Sequence, residues 1–315
     1  FSLVALIKNS VVFPGQGSQY TGMLSEYINN EISFKNTFIK ASEILNINFL
    51  DLIKKGTNKK LASTEITQPL MLVADVALWN LILNRIDKPI CLAGHSLGEY
   101  AALVASEVLS FEDSLYLVQN RARLMQEAVP EGSGGIAAII GLSENKINSI
   151  CKKINTDSDY FVSPANINTQ SQIVISGTKL GVDSAIDKCK ELGAKRAISL
   201  SMSIPSHCSL MRDAAQQYKL TLQKVTLNKP KIPILQNVDS SFENESEKIR
   251  NKLVQQIYKP VRWKDTINAI SMLGAQRIIE CGPGKVLSGL TKRILPDAIA
   301  LDLDNYNNYL TLLDD

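Results

Sequence analysis

The sequence lacks any apolar run long enough to cross a membrane, and it carries almost no net charge. Although 45% of its 315 residues are hydrophobic, no stretch approaches the roughly 20 consecutive apolar residues that span a bilayer. Its 34 basic and 31 acidic residues leave a formal charge of +3, too little to indicate nucleic-acid binding by bulk electrostatics. We therefore expect neither a membrane nor a nucleic acid as partner, and a chain of this length has room for one large core and a smaller unit.

Cysteine is scarce and irregularly spaced. The sequence has five cysteines without CxxC spacing, mostly in apolar or helical stretches: Cys91, Cys151, Cys189, Cys208 and Cys281. This pattern indicates reduced, buried thiols rather than disulfides or a zinc site, so we predict no metal centre. Residues 1–7 are too few and too mixed in polarity for the apolar part of a secretory signal, and we expect the protein in the cytoplasm.

Two short apolar runs, each followed by a glycine-rich turn, stand out along the chain. Residues 11–13 lead into a turn at 14–18, and residues 90–93 lead into a turn at 94–98. Both runs have the length and composition of buried strands. Helical periodicity dominates the segments 33–53, 68–86 and 99–108. This alternation indicates an α/β fold.

The second turn has the pattern of a nucleophile elbow. Gly94 and Gly98 bracket Ser96 between a strand and a helix, and small flanking residues let such a turn lift the hydroxyl clear of the backbone. The N–H of Leu97, at the start of the helix, would point to where an oxyanion develops. The alternative is an ordinary serine in a glycine-bracketed turn.

A different pattern occupies the middle of the chain. Between residues 134 and 201 the periodicity predicts strand, helix, strand, strand, helix and strand, at 135–140, 144–154, 161–166, 172–176, 180–192 and 195–200. This is the order of a ferredoxin-like domain. We predict a large α/β-hydrolase-like domain, residues 1–132 and 203–315, interrupted by a small ferredoxin-like domain, residues 133–202.

A serine nucleophile needs a base, and the sequence offers only two histidines. His95 is adjacent to Ser96 and poorly placed to reach its oxygen, so His207 is the better candidate. The alternative for His207 is a histidine that satisfies the backbone of a turn. We expect His95 to shape the elbow or to touch the ligand.

Arg121 lies on a predicted helix among apolar residues at helical spacing. Leu117, Leu124 and Met125 share its face, which suggests a buried charge. A buried guanidinium would suit a bidentate contact with a substrate carboxylate. A surface arginine paired with a nearby acid is the alternative, and the sequence alone favours it.

Taken together, several motifs resemble the malonyl-CoA:acyl carrier protein transacylase family. They occur in the family's order between residues 11 and 294, at 12–19, 93–100, 125–132, 205–208 and 282–287. The resemblance implies Ser96 as nucleophile, His207 as acid and base, and Arg121 as the clamp on the malonyl carboxylate. It further implies Gln16 and Leu97 as donors of the oxyanion hole, and His95 and Met125 as substrate-binding residues.

The same resemblance implies a dyad without an acidic third member. Gln256 matches the residue whose main-chain carbonyl orients the histidine, and a carbonyl at one ring nitrogen leaves the other free to take a proton. Lys195 and Arg196 match a basic pair that faces the carrier protein, with two solvated side chains as the alternative.

The expected reaction is a ping-pong transfer of malonyl from malonyl-CoA to acyl carrier protein in fatty acid synthesis, with no metal or redox cofactor. Two rival hypotheses remain at this point. One is a serine hydrolase, and the other is an inactive subunit that docks a carrier protein.

Overall fold

Two sheets of different kinds organise the chain, in a computed structural model that describes residues 7–202 and 204–314. The strands are β1 (Asn9–Phe13), β2 (Leu92–Gly94), β3 (Gly134–Ile140), β4 (Val162–Ile167), β5 (Gln172–Thr178), β6 (Arg196–Ser199), β7 (Ile234–Leu235), β8 (Arg277–Glu280) and β9 (Ile299–Asp302). The segment interpreted above as too short for a secretory signal lies outside the described residues, apart from Ile7.

Helices cover most of the remaining chain. They are α1 (Ser25–Asn30), α2 (Ile32–Leu45), α3 (Phe49–Lys55), α4 (Asn58–Leu61), α5 (Thr64–Ile82), α6 (Gly98–Ala105), α7 (Phe111–Glu127), α8 (Glu144–Asp157), α9 (Lys179–Glu191), α10 (Arg212–Leu222), α11 (Ser246–Tyr258), α12 (Trp263–Met272), α13 (Val286–Ile294) and α14 (Tyr306–Asp314). In the part of the chain that the structure describes, none of them is long and apolar enough to cross a membrane.

The larger sheet is parallel, as the α/β prediction requires. Its five strands run in the order β7-β2-β1-β8-β9, and every neighbouring pair is parallel. All residues of β1 are buried, which is typical of a parallel strand covered on both faces. Since the carboxyl ends of parallel strands share one edge, the turns after β1 and β2 come together there.

The smaller sheet is antiparallel and has a core of its own. Its strands run in the order β4-β5-β3-β6, with α8 and α9 packed against it. A separate cluster of buried apolar side chains lies wholly within residues 137–197. Main-chain hydrogen bonds between β4 and Val261 attach this sheet to the rest of the molecule.

Most predicted elements are present, with shifted ends. The helical stretch predicted at 33–53 is two helices, because Asn46 takes a left-handed conformation (φ 54°) that ends α2. All five cysteines are buried and free, which confirms the prediction of buried thiols.

Candidate active site

Ser96 stands at the tip of a sharp turn between β2 and α6. Its φ of 53° lies in the left-handed region, which a residue with a side chain adopts at an energetic cost. The N–H of Ser96 donates to Asn237 Oδ1 (2.7 Å), and the N–H of His95 donates to the main-chain oxygen of Phe13 (2.9 Å). The turn is thus tied to β1 and to the loop after β7, in the geometry of a nucleophile elbow.

Close backbone packing explains the glycines of the elbow. A Cβ atom on Gly98 would lie 2.0 Å from the main-chain oxygen of Phe13, and one on Gly94 would lie 1.9 Å from the carbonyl carbon of Gly98. A Cβ atom on Gly15 would lie 2.5 Å from the main-chain oxygen of His95. The turn after β1 therefore packs directly on the elbow, and only glycine allows this approach.

His207 contacts the Ser96 hydroxyl. Its Nε2 lies 2.8 Å from Ser96 Oγ, and its Nδ1 lies 2.6 Å from the main-chain oxygen of Gln256. A carbonyl only accepts, so Nδ1 carries the ring proton and Nε2 is free to accept the proton of Ser96. Burial, reinforced by the charge of Arg121, lowers the pKa of His207 to about 3. The imidazole is therefore neutral and available as a base at neutral pH.

Arg121 is a buried cation with no acidic contact. Its side chain is 1% exposed, and no ion pair includes it within residues 7–202 and 204–314. Nη1 donates to Gln68 Oε1 (2.7 Å), and Nη2 donates to Gln256 Oε1 (2.9 Å) and Ser96 Oγ (3.3 Å). Nε has no hydrogen-bond partner. The guanidinium thus has unused capacity for a carboxylate beside the nucleophile.

The N–H groups of Gln16 and Leu97 belong to the two turns that meet at Ser96. A Cβ atom on Gly15 would lie 3.5 Å from Leu97 N, so the turn that carries Gln16 lies against the start of α6. The N–H groups at a helix start have no helical partner and attract negative charge. A hydrogen bond from Gln16 Nε2 to Thr64 Oγ1 (3.2 Å) fixes the first turn. This arrangement can stabilise an oxyanion next to Ser96.

These residues line one cavity of about 190 Å³ between the two sheets. The turn after β1, the elbow and α7 form one side, and the antiparallel sheet and α13 form the other. Its apolar lining includes Met125, Ile136, Val174, Leu200, Ile204 and Leu290. A mostly apolar space with one cation at the nucleophile suits a small acyl group that ends in a carboxylate.

His95 and Met125 line the cavity without entering the proton path. His95 Nε2 lies 2.8 Å from Asn168 Oδ1, and its ring packs edge-on against Trp263 at 5.2 Å between centroids. Met125 Sδ accepts a hydrogen bond from Gln68 Nε2 (3.8 Å). Because the Asn168 oxygen only accepts, His95 Nε2 carries the ring proton and is not available as a base.

Lys195 and Arg196 lie apart from this group. Arg196 begins β6, one of the two edge strands of the antiparallel sheet, and both side chains are exposed. Neither lines the cavity. The structure thus brings together all the other predicted site residues and leaves this basic pair on the surface.

Sequence patterns miss a polar network behind Ser96. Glu99 is 1% exposed and accepts hydrogen bonds from Gln256 Nε2 (2.7 Å), Gln236 Nε2 (3.3 Å) and Asn237 N (3.4 Å). Gln256 Nε2 also donates to the main-chain oxygen of Ser96 (2.9 Å). Burial raises the pKa of Glu99 to about 7, although these hydrogen bonds and the charge of Arg121 act in the opposite direction.

The residues missed by the sequence patterns differ in how clearly the sequence indicates them. Glu99 is the only charged residue of the apolar helix α6, and a lone carboxylate in such a helix is an indication of function. Gln68 is likewise a polar residue in the apolar helix α5. Asn168 and Asn237 follow strands in loops without any readable pattern, so only the structure identifies them.

Comparisons with known proteins agree with this geometry. Residues 11–297 match the family model for the acyl transferase domain. The malonyl CoA-acyl carrier protein transacylase of Haemophilus influenzae is 44% identical over 304 residues, which cover 96% of this chain and 97% of that protein. The structure of the malonyl CoA-acyl carrier protein transacylase from Coxiella burnetii matches with a TM-score of 0.95 and 42% identity, covering 98% of both chains. A malonyl-transacylase solved in complex with a type II PKS acyl-carrier protein also matches with a TM-score of 0.95 and 42% identity, covering 98% of this chain and 99% of that one.

Proposed function

The chain belongs to the malonyl-CoA:acyl carrier protein transacylase family, and from this premise we propose that it transfers malonyl from coenzyme A to the phosphopantetheine thiol of an acyl carrier protein. One observation carries the proposal. The hydroxyl of Ser96 contacts both a neutral His207 (2.8 Å) and Arg121 (3.3 Å), a buried cation that no acid among the described residues touches. The transfer would supply malonyl units for fatty acid synthesis.

In the first half-reaction Ser96 Oγ attacks the thioester carbonyl while His207 Nε2 takes the hydroxyl proton. The N–H groups of Gln16 and Leu97 stabilise the negative oxygen that forms. The carbon–sulfur bond then breaks, and the imidazolium returns its proton to the departing sulfur of coenzyme A. The product is a malonyl ester of Ser96.

In the second half-reaction the carrier thiol gives its proton to His207 and attacks the ester. The bond to Ser96 Oγ breaks, and the serine recovers its proton from the imidazolium. Gln256 orients the ring throughout, because its carbonyl holds Nδ1 at 2.6 Å. Since His207 handles every proton, the scheme invokes no metal or redox cofactor.

Arg121 holds the malonyl carboxylate in this scheme. Its Nη2 is within 3.3 Å of the hydroxyl that becomes the ester, so a carboxylate one methylene beyond the ester carbonyl falls within its reach. An acyl group that ends in a methyl offers the guanidinium no acceptor oxygen and leaves its hydrogen bonds incomplete, which disfavours that group. Met125 and His95 line the space around the acyl chain.

The remaining assignments concern the smaller sheet and the surroundings of the enzyme. We assign residues 133–202 to an inserted ferredoxin-like domain, supported by the strand order and the separate core, between the two parts of an α/β-hydrolase-like domain, 1–132 and 203–315. Lys195 and Arg196, exposed at the start of β6, are proposed to face the acidic carrier protein. Free, buried cysteines fit a location in the cytoplasm.

Intact-protein mass spectrometry after addition of malonyl-CoA tests the proposed function. We expect one malonyl adduct that maps to Ser96 and is absent from Ser96→Ala, and we expect its loss on addition of carrier protein with a free phosphopantetheine thiol. His207→Ala should slow adduct formation by about a hundredfold or more while the protein stays folded, whereas His95→Ala should not. An adduct on Cys91 or Cys208, or rapid loss to water without carrier protein, would contradict the assignment.

A further inference from the structure

One side-chain amide connects the buried Arg121 to the buried Glu99. Gln256 Oε1 accepts from Arg121 Nη2 (2.9 Å), and Gln256 Nε2 donates to Glu99 Oε2 (2.7 Å). Both charged side chains are 1% exposed. An amide between a cation and a carboxylate aligns its dipole with both charges, so the two stabilise each other without direct contact. Glu99 is therefore the counter-charge of Arg121.

The other ionisable groups around this pair do not supply a charge near pH 7. Burial raises the pKa of Tyr100 to about 12 and lowers the pKa of His207 to about 3. It also raises the pKa of Tyr218 and lowers the pKa of His95. Two tyrosines and two histidines thus surround the pair as neutral side chains, and the charge balance rests on Arg121 and Glu99.

We propose that Glu99 is a positioning residue that holds Arg121 and compensates its charge until an acyl carboxylate binds, and that it thereby limits the preference of the site for malonyl over acetyl groups. The inference rests on the proposed function, in which Arg121 binds the malonyl carboxylate. When malonyl is bound, its carboxylate and Glu99 both interact with the positive charge of Arg121, and the two negative charges repel each other. An acetyl group leaves the pair of charges undisturbed. Weaker binding of the malonyl carboxylate also helps the acyl group to leave for the carrier protein. Tight binding that is equal in the ground state and the transition state does not accelerate a transfer.

Glu99→Gln separates the charge of this residue from its hydrogen bonds. A glutamine keeps one oxygen for the donors Gln256 Nε2 and Asn237 N. Its new NH₂ group faces Gln236, whose Oε1 has no partner and can accept once that amide rotates. Glu107→Gln is the matched control, because Glu107 is an exposed acid paired with Lys231 away from the cavity.

The decisive measurement is the kcat/KM ratio for acylation of Ser96 by malonyl-CoA and by acetyl-CoA. Glu99→Gln should raise this ratio about tenfold, because it removes the repulsion felt by malonyl and leaves Arg121 uncompensated beside acetyl. Glu107→Gln should leave the ratio unchanged. A parallel fall for both substrates in Glu99→Gln would mean a merely structural role and would overturn the proposal.

The wild-type enzyme provides a second test that needs no variant. Because burial raises the pKa of Glu99 to about 7, the malonyl-to-acetyl ratio should fall as pH rises through 7 and Glu99 becomes charged. Both substrates use His207, so its protonation cancels in the ratio. The ratio of Glu99→Gln should be flat over this range. Burial also raises the pKa of Glu280 to about 7, and a slope that persists in Glu99→Gln would point to Glu280 and refute the proposal.

These measurements test the role of Glu99 separately from the proposed malonyl transfer. A wild-type protein that never forms a malonyl adduct on Ser96 refutes the proposed function, and the inference fails with it. If the adduct forms, but the malonyl-to-acetyl ratio changes neither with pH nor in Glu99→Gln, only the inference about Glu99 is refuted.

Discussion

At the scale of single residues, the role proposed for Arg121 combines substrate binding with substrate selectivity. Its two terminal nitrogens donate to neutral oxygens of Gln68, Gln256 and Ser96, and its Nε donates to nothing. A buried guanidinium whose hydrogen bonds are incomplete gains most from a ligand that carries two acceptor oxygens. The structure therefore favours a carboxylate at this position over any other acyl terminus.

Arg121→Ala should lower kcat/KM for malonyl-CoA about a hundredfold, the size expected when a buried charge-assisted contact is lost. Acylation by acetyl-CoA should fall much less or rise, because a methyl group makes no hydrogen bond to the guanidinium and suits an apolar alanine better. The two specificity constants, measured side by side, give the ratio directly. Arg123→Ala is the matched control, since Arg123 lies on the same helix but is exposed and paired with Glu127 (2.9 Å). If both substrates decline in parallel in Arg121→Ala, the residue is structural.

The sequence predicts the reacting groups better than their surroundings. Ser96 is marked by its own local motif, and His207 follows from the scarcity of histidine. The burial of Arg121 could not be read with the same certainty, because the groups that cover it come from distant segments such as α5 and α11. Glu99 lies three residues from Ser96, yet its role depends on Gln256, which is 157 residues away.

At the scale of elements, local patterns predict strands but not their order. The apolar run of β1 indicates a buried strand, whereas its neighbours β2 and β8 begin 83 and 268 residues further along the chain. Parallel pairing requires long crossovers, and nothing local specifies which strands meet. The antiparallel sheet was easier to anticipate, because its strands and helices form one continuous segment of regular periodicity.

The elbow needs glycine at position 98, where a Cβ atom would lie 2.0 Å from the main-chain oxygen of Phe13. Gly98→Ala should lower the free energy of unfolding by about 3 kcal/mol or abolish folding, because backbone has to move. Gly289→Ala is the matched control on α13, where no described heavy atom outside the local helix backbone lies within 4 Å of the new Cβ. That change should raise the free energy of unfolding by about 0.5–1 kcal/mol. Urea denaturation of both variants checks the pair, and equal stabilities would contradict the packing argument.

The edge strand β6 provides the test of carrier docking. The double change Lys195→Glu with Arg196→Glu should raise KM for the carrier protein about tenfold or more and leave acylation by malonyl-CoA nearly unchanged, because neither side chain lines the cavity. Lys152→Glu with Lys153→Glu on α8 is the matched control, an exposed basic pair on another element of the same small unit. Equal damage to both half-reactions would instead assign Lys195 and Arg196 to the phosphates of coenzyme A.

At the scale of the whole molecule, a buried acid beneath the active-site turns links stability to pH. Asp75 on α5 is fully buried, and neither carboxyl oxygen has a hydrogen-bond partner. It lies so close to the loop after β8 that a Cβ atom on Gly282 would be 2.3 Å from Oδ1. Burial, with the nearby charge of Glu280, raises the pKa of Asp75 well above its usual range. The folded protein therefore keeps this carboxyl neutral where the unfolded chain ionises it.

Because of this difference, Asp75 lowers the free energy of unfolding increasingly as pH rises. Below about pH 4 the carboxyl is protonated in both states, and it adds no pH dependence. Above that point the unfolded state releases the proton and the folded state retains it, so stability falls as pH rises until the folded pKa is reached. Asp75→Asn is neutral at every pH and should be free of this loss.

We therefore expect the free energy of unfolding of Asp75→Asn, relative to wild type, to increase with pH from about pH 5 until the folded-state pKa of Asp75 is reached. The gain can reach about 1.4 kcal/mol for each pH unit over which only the folded state holds the proton. Urea denaturation of both proteins at each pH measures it, and the difference between them removes the contribution of Glu99, which both proteins share. The absolute stability of the variant at pH 5 does not decide the matter, because the new amide has to find acceptors of its own. Two curves that run parallel from pH 5 to pH 8 would show that Asp75 ionises in the folded protein as easily as in the unfolded chain.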